Sequence, residues 1–254
     1  MERALIVGVN KTVDRKTEKS QFAIDEMMSL VKACDMQPVG CLEQNMDSTN
    51  ASTYIGAGKV REVYDMIRAL EADLVIFDNG LSPIQLRNLQ KELDCPVMDR
   101  TTLILEIFST RARTREAKLQ VETARLQYML PRLVGLHDAL SRQGGASGAM
   151  SNKGAGEKKL ELDRRRLEQR LTNMKRELEN ITGERKIQRK KRADSGIPRV
   201  SLTGYTNAGK STIMNSLLST YAEDEEKKVF ENDMLFATLD TTVRRIVPPS
   251  QNAF

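Results

Sequence analysis

Over the first hundred positions the apolar residues alternate between strand-like runs and helix-like spacing. Residues 4–9 (ALIVGV) form a short apolar run that reads as a buried strand, and residues 22–33 place their apolar side chains at helical intervals. After Pro38, residues 39–42 predict a second strand. Residues 59–70 predict a helix whose Val60, Val63, Tyr64, Ile67 and Leu70 share one face. A third buried run, residues 74–77, is closed by the turn-forming Asp78-Asn79-Gly80. Ser82 as N-cap, Pro83 at the first helical position and Gln85 at the capping-box position then open another helix. Residues 96–98 predict a fourth strand. Parallel neighbours need crossover connections, so this alternation predicts a small parallel sheet with helices on its faces.

Residues 102–140 are helical in period and strongly polar, and residues 143–156 form a break rich in Gly, Ala and Ser. A second helix follows, with Leu160, Leu167, Leu171, Met174, Leu178 and Ile181 spaced as a heptad seam in which Arg164 takes one core position. Two such helices joined by a glycine-rich loop predict an antiparallel hairpin, its seam packed on Leu119, Leu126 and Leu133. Residues 194–198 (DSGIP) end the second helix with turn chemistry, and residues 199–203 predict a strand that begins a further α/β region. The expected organisation is an N-terminal α/β domain over 1–101, a helical-hairpin linker over 102–196 and the first part of a nucleotide-binding domain over 197–254.

Charge changes this picture in one place. Residues 157–194 hold 14 Lys/Arg against 8 Asp/Glu, while the rest of the chain holds 26 against 27. The net +5 of the 254 residues therefore comes from the second hairpin helix. Such a stretch suits a polyanion such as RNA, and it equally suits a solvated helix face. No apolar run approaches the length of a membrane helix, so a cytoplasmic protein is expected. Three cysteines without C-x-x-C spacing argue against a disulfide framework and a zinc site. A single histidine, His137, argues against a Ser-His-Asp hydrolase.

The chemistry-bearing motif is Gly204-Tyr205-Thr206-Asn207-Ala208-Gly209-Lys210-Ser211, which matches G-x-x-x-x-G-K-[ST] between an expected strand and an expected helix over 210–218. Its glycines let backbone N–H groups approach phosphate oxygens, and the helix N-terminus adds unsatisfied donors and its dipole. Lys210 is placed to reach the β- and γ-phosphates, and the Ser211 hydroxyl is a candidate Mg²⁺ ligand. Downstream, Phe236-Ala237-Thr238-Leu239-Asp240 offers a threonine suited to a first switch that orders around Mg²⁺ and a γ-phosphate; a plain strand entry fits that spacing as well. Neither D-x-x-G nor N-K-x-D follows Ser211, and the chain stops 43 residues after it. A truncated nucleotide domain is expected on that ground. Gly56-Ala57-Gly58-Lys59 reads as a helix-entry turn rather than an anion site. Asp99-Arg100 reads as an ion pair that caps the following helix.

Several segments together carry a family resemblance. They are residues 54–60 (YIGAGKV), 85–89 (QLRNL), 97–101 (VMDRT), 111–121 (RARTREAKLQV), 130–133 (LPRL), 204–212 (GYTNAGKST) and 235–240 (LFATLD). In this order they resemble the HflX family of GTPases over essentially the whole chain. The resemblance implies GTP and GDP as ligands with Mg²⁺ held by Ser211 and Thr238, and nucleotide contacts from Gly204 to Thr212 and from Phe236 to Asp240. It implies binding of the monomeric protein to the large ribosomal subunit, through the N-terminal domain and basic hairpin, with action on stalled or idle ribosomes in the cytoplasm. The catalytic residue stays unassigned. Three positions depart from the family pattern: Thr241 and Ala155 stand where proline is common, and residues 223–228 form an extra acidic loop. The competing expectation is a non-catalytic RNA- or ribosome-binding fragment. A P-loop ATPase of another kind fits less well, because it leaves Thr238 without a role.

Overall fold

The structure is a computed structural model that describes residues 1–11, 17–143, 153–194, 196, 200–206, 208–221, 228–229, 235–236 and 242–246. Its first part is a three-layer α/β unit. Strands β1 (Arg3–Lys11), β2 (Gln37–Met46), β3 (Leu74–Phe77) and β4 (Val97–Asp99) form one sheet in the order β2-β1-β3-β4. Every neighbouring pair is parallel. Helices α1 (Thr17–Ala33), α2 (Ala57–Ala69) and α3 (Pro83–Leu93) make the crossovers, as the alternation predicts.

Strand periodicity divides the core in two. Leu5, Val7, Val75, Phe77 and Val97 point to the face covered by α2 and α3, where Val60, Val63, Ile67, Leu89 and Leu93 meet them. Ala4, Ile6, Leu74 and Ile76 point to the other face, against Met27, Leu30 and Val31 of α1. Leu103 and Ile107 of α4 (Arg100–Arg111) complete that second cluster. Strands buried on both sides have to be continuously apolar, which is why they read as runs. β1 and β2 slip register between Ala4 and Leu5. Just beyond the slip, a Cβ on Gly40 would stand 2.7 Å from the Leu70 Cδ1, so any larger residue there has to push that side-chain end aside.

The expected helix over 102–140 is two helices. α4 ends at Arg111 and α5 (Arg115–Gln143) begins after three intervening residues, with Thr114 Oγ1 accepting from the Ala117 N–H at 3.1 Å. The expected boundary at 101/102 thus falls inside a helix whose apolar side belongs to the sheet core. α6 (Lys153–Asp194) runs antiparallel to α5: Arg115 pairs with Glu177, Arg170 with Glu122 at 3.1 Å and Arg185 with Glu116 at 2.5 Å. The seam is shallower than its heptads suggest. Met174 is buried, whereas Leu167, Leu171, Leu178 and Ile181 are half-buried. Arg164 is no core residue, since it bonds Glu161 and Glu168 on its own helix. Two helices without a third layer cannot enclose a guanidinium, so it stays at the surface.

The strand expected over 199–203 is not formed among the described residues. Positions 200–203 are exposed coil, with Val200 71% accessible. A lone strand gains nothing without a neighbour to take its backbone hydrogen bonds, and none is paired with it here. α7 (Lys210–Tyr221) does form, and its Leu218 is buried with Val229 and Ile246. The Asn215 side chain holds both backbone groups of Val229, accepting at 2.7 Å and donating at 2.9 Å.

At the carboxyl end of β4 the Asp99 side chain has no exposure to water. One oxygen accepts from the Thr102 N–H at 3.0 Å and the Thr102 hydroxyl at 2.6 Å, capping α4 as read from sequence. The other accepts from Leu81 N–H at 3.2 Å, and from the Tyr128 hydroxyl and Arg132 Nη2 of α5 at 2.5 Å each. The partner of Asp99 is therefore Arg132, 33 residues away, and not the adjacent Arg100. Arg132 lies over the Tyr128 ring at 3.8 Å and also donates to the Leu81 carbonyl at 2.8 Å. Burial alone raises the Asp99 pKa, but the bonds from Thr102, Tyr128 and Arg132 outweigh it and hold the carboxyl below its ordinary 3.8. A depressed folded pKa gives stability that is complete above the ordinary value and lost as pH falls through the lowered one. Asp99→Asn is expected to cost about 3–5 kcal/mol in urea unfolding at neutral pH, because it strands the Arg132 charge. The loss relative to wild type should begin to shrink below about pH 4, where the unfolded chain takes up the proton first, and should disappear only as the folded carboxyl is itself protonated at lower pH. Equal urea midpoints for the two proteins at pH 7 would show that the contact contributes nothing.

Candidate nucleotide-phosphate site

The motif that matches a phosphate loop leads directly into α7. Gly209 has φ +75°, a left-handed conformation that side chains resist, and the helix starts at the next residue. Its carbonyl accepts from the Ile213 N–H at 2.9 Å. Lys210, Ser211 and Thr212 therefore occupy the first turn, where backbone donors lack intrahelical partners and the dipole favours an anion. Gly204 is different: a Cβ there would meet Ala208 and Lys210 atoms only at ordinary contact distance, 3.7 Å.

The loop turns back on itself through Tyr205, whose carbonyl accepts from the Lys210 ammonium at 2.5 Å and the Ala208 N–H at 3.3 Å. The Lys210 ammonium is thus folded back onto the loop backbone at Tyr205. The Thr206 hydroxyl oxygen is buried without a hydrogen-bond partner among the described residues. A polar group left so inside a glycine loop, beside a lysine and a helix N-terminus, fits a polar anionic ligand such as phosphate. The Ser211 hydroxyl stands in the first turn, as a Mg²⁺ ligand from this motif must. Asn207 and Ala237, Thr238, Leu239 and Asp240 of the expected switch lie outside the described residues, as does Thr241. Of that segment Leu235 and Phe236 are described, half-buried against the α1–α4 side of the sheet.

The loop also touches the α/β unit, a connection that sequence reading missed. The Tyr205 hydroxyl donates to Glu26 Oε1 of α1 at 2.8 Å. Glu26 in turn receives Arg100 at 2.5 Å, and Arg100 reaches Asp78 at 2.6 Å. Burial pushes the Glu26 pKa up, yet the bonds from Arg100 and Tyr205 prevail and lower it. At Asp78 burial prevails over Arg100 and raises it. A sequence cue did exist: Asp78 and Arg100 close successive parallel strands, whose carboxyl ends lie side by side. Glu26 and Tyr205, 179 positions apart, carried no such cue. Gly56 to Lys59 form the entry of α2, as expected, with Lys59 paired to Glu62 at 2.7 Å.

Three family models match the chain in order. One described as the N-terminal part of a GTP-binding GTPase covers residues 21–109, and one described as the middle region of a GTP-binding GTPase covers 111–192. One described as a 50S ribosome-binding GTPase covers 199–253. A crystal structure of SsGBP in complex with GDP superposes with a TM-score of 0.51 and 25% identity, over 86% of this chain and 56% of that one. The loop, its helix and these matches define the class: a P-loop chain similar to GTP-binding GTPases, with an α/β unit and a helical arm ahead of the loop. Among curated proteins, GTPase HflX of Alkalihalophilus pseudofirmus is 45% identical over 250 residues, 98% of this chain and 56% of that protein. GTPase HflX of Escherichia coli is 40% identical over 245 residues, 96% of this chain and 54% of that protein. The chain belongs to the HflX family and spans about half the length of these curated relatives.

In the intact protein, Lys210→Ala should remove a charge-assisted contact to phosphate and weaken GDP and GTP binding by about 1.5–3 kcal/mol. Titration calorimetry with each nucleotide reads this directly. Unchanged affinities would place the nucleotide elsewhere.

Proposed function

We propose that the intact protein is a Mg²⁺-dependent GTP hydrolase that uses its nucleotide state to control binding to the large ribosomal subunit in the cytoplasm. The observation that carries the nucleotide part is the positive-φ Gly209 leading straight into the first turn of α7 with Lys210 and Ser211. Residues 204–212 hold the diphosphate through backbone donors, and Lys210 exchanges its bond to the Tyr205 carbonyl for phosphate oxygens. Residues 236–240 form the first switch, with Ser211 and Thr238 as the metal ligands. When bound there, Mg²⁺ supplies positive charge to the β- and γ-phosphate oxygens. The contribution of this chain is electrostatic positioning.

The organisation we favour is an α/β domain, a helical arm and a nucleotide domain, drawn from sequence as 1–101, 102–196 and 197–254. We favour drawing the first division after Arg111, a choice supported by the packing of Leu103 and Ile107 of α4 in the sheet core. The 254 residues contain no D-x-x-G or N-K-x-D after Ser211, so we read them as insufficient alone for guanine-selective turnover. Purified on its own, this polypeptide should release phosphate from GTP at background rate. Guanine-specific turnover by it would overturn that reading.

The ribosome part rests on the basic end of α6. Lys186, Arg189, Lys190 and Lys191 are exposed beyond the last cross-arm pair, Arg185 to Glu116. We place an RNA contact there, on a monomer, with the α/β domain as the second contact. Reversing the charges of Arg189, Lys190 and Lys191 should leave the helix content intact, because none of them joins the arm packing. It should weaken ribosome co-sedimentation and make its salt dependence shallower by up to about 3 in log–log slope, since fewer counterions are released. An unchanged slope in a folded variant would make the segment a solvated helix end.

A further inference from the structure

Glu26 stands on α1 next to Met27, whose side chain is fully buried against the sheet. Its two carboxylate oxygens are divided between two donors. Oε2 receives Arg100 at 2.5 Å, and Oε1 receives the Tyr205 hydroxyl at 2.8 Å. The other terminal nitrogen of Arg100 bonds Asp78 at 2.6 Å, just past the end of β3. The acceptor offered to Tyr205 is therefore fixed twice, by the packing of α1 and by a bridged guanidinium. Burial opposes its charge, and the bonds from Arg100 and Tyr205 keep it ionised.

Tyr205 needs such a fixed partner. It is 69% accessible, so packing does not hold its ring, and residues 200–204 before it are exposed. After it, the loop is secured by α7, whose Leu218 is buried on Val229 and Ile246. Among the described residues, the tie that holds the upstream end is the hydroxyl bond to Glu26. Tyr205 also carries the loop's internal bonds, since its carbonyl accepts from the Ala208 N–H and the Lys210 ammonium. Where the Tyr205 backbone sits thus decides where the ammonium waits beside the first turn of α7. With the hydroxyl bond made, both ends of the loop are fixed before a ligand arrives. Without it, the upstream end has to be ordered by the ligand, and ordering a loop in advance raises affinity by removing that cost.

We propose that Glu26 is a positioning residue for the nucleotide site: by accepting from the Tyr205 hydroxyl it fixes the phosphate loop on α1 and raises the affinity of that loop for nucleotide phosphates. The proposal rests on reading residues 204–212 as a phosphate loop. Glu26 acts through Tyr205 alone, and Arg100 acts by holding Glu26. A residue of the α/β unit thereby sets the strength of a site that begins 178 positions further along the chain.

Calorimetric titration of the intact protein with GDP and Mg²⁺ tests this in a cycle of Tyr205→Phe, Glu26→Ala and the double variant, with Lys210→Ala beside them. Hydrogen exchange at β1 and β3 amides is the folding control. Each single variant of the cycle should weaken GDP binding about three- to tenfold, the range of one hydrogen bond. The double variant should bind no more weakly than Tyr205→Phe, because Glu26 acts through that hydroxyl. A Glu26 that served only the stability of the α/β unit would lower affinity equally in both backgrounds, and that result overturns the proposal. Wild-type affinity in either single variant does the same. If Glu26→Ala loses sheet protection, Tyr205→Phe decides alone, since its ring is exposed. Lys210→Ala separates the two readings. Unchanged GDP affinity there removes the phosphate site and the positioning with it, whereas weakened binding there with full affinity in Tyr205→Phe removes the positioning only.

Discussion

A carboxylate with no contact to water must be fully bonded, and Asp99 meets that demand with groups from three other parts of the chain. It ends β4, caps α4, holds the backbone ahead of α3 and receives Tyr128 and Arg132 from α5. The direction of the helical arm is consequently set from inside the α/β unit. The apolar elbow around Phe108 lies within the same pair of helices and supplies the second point of attachment. A polar anchor and an apolar hinge are different in kind. The first fails in one step when a partner is lost, and the second can be loosened by removing one ring.

The parts legible in the sequence were those whose signal is local. β3 occurs over 74–77 as read, and Ser82 with Gln85 forms the capping box. The antiparallel arm follows from its two helical periods. The misreadings share a cause, which is that each depended on a partner elsewhere. Arg164 sits in heptad register, but among the described residues no third element covers it, and it turns to its own helix. The strand over 199–203 has the right composition and no neighbour among the described residues. Asp99 was recognised as a cap, while its ion-pair partner could not be found by adjacency.

The phosphate loop was legible because its chemistry dictates a contiguous pattern of glycine, lysine and hydroxyl residues at a helix start. Its support was not. Tyr205, Glu26, Arg100 and Asp78 form one hydrogen-bonded chain across α7's loop, α1 and two strand ends, and their sequence positions carry no common period. Membership of the HflX family accounts for the order of the segments. The contacts show how a nucleotide loop and an arm on separate elements come to share one α/β platform.

The central claim is that residues 204–212 hold the phosphates of a guanine nucleotide. An amide-resolved NMR titration of the intact protein with GDP and Mg²⁺ tests it most directly. The account predicts large, saturable shifts for Gly209, Lys210 and Ser211, with smaller ones at Glu26 reached through Tyr205. Saturable GDP binding that leaves the amides of 204–212 unmoved would contradict it.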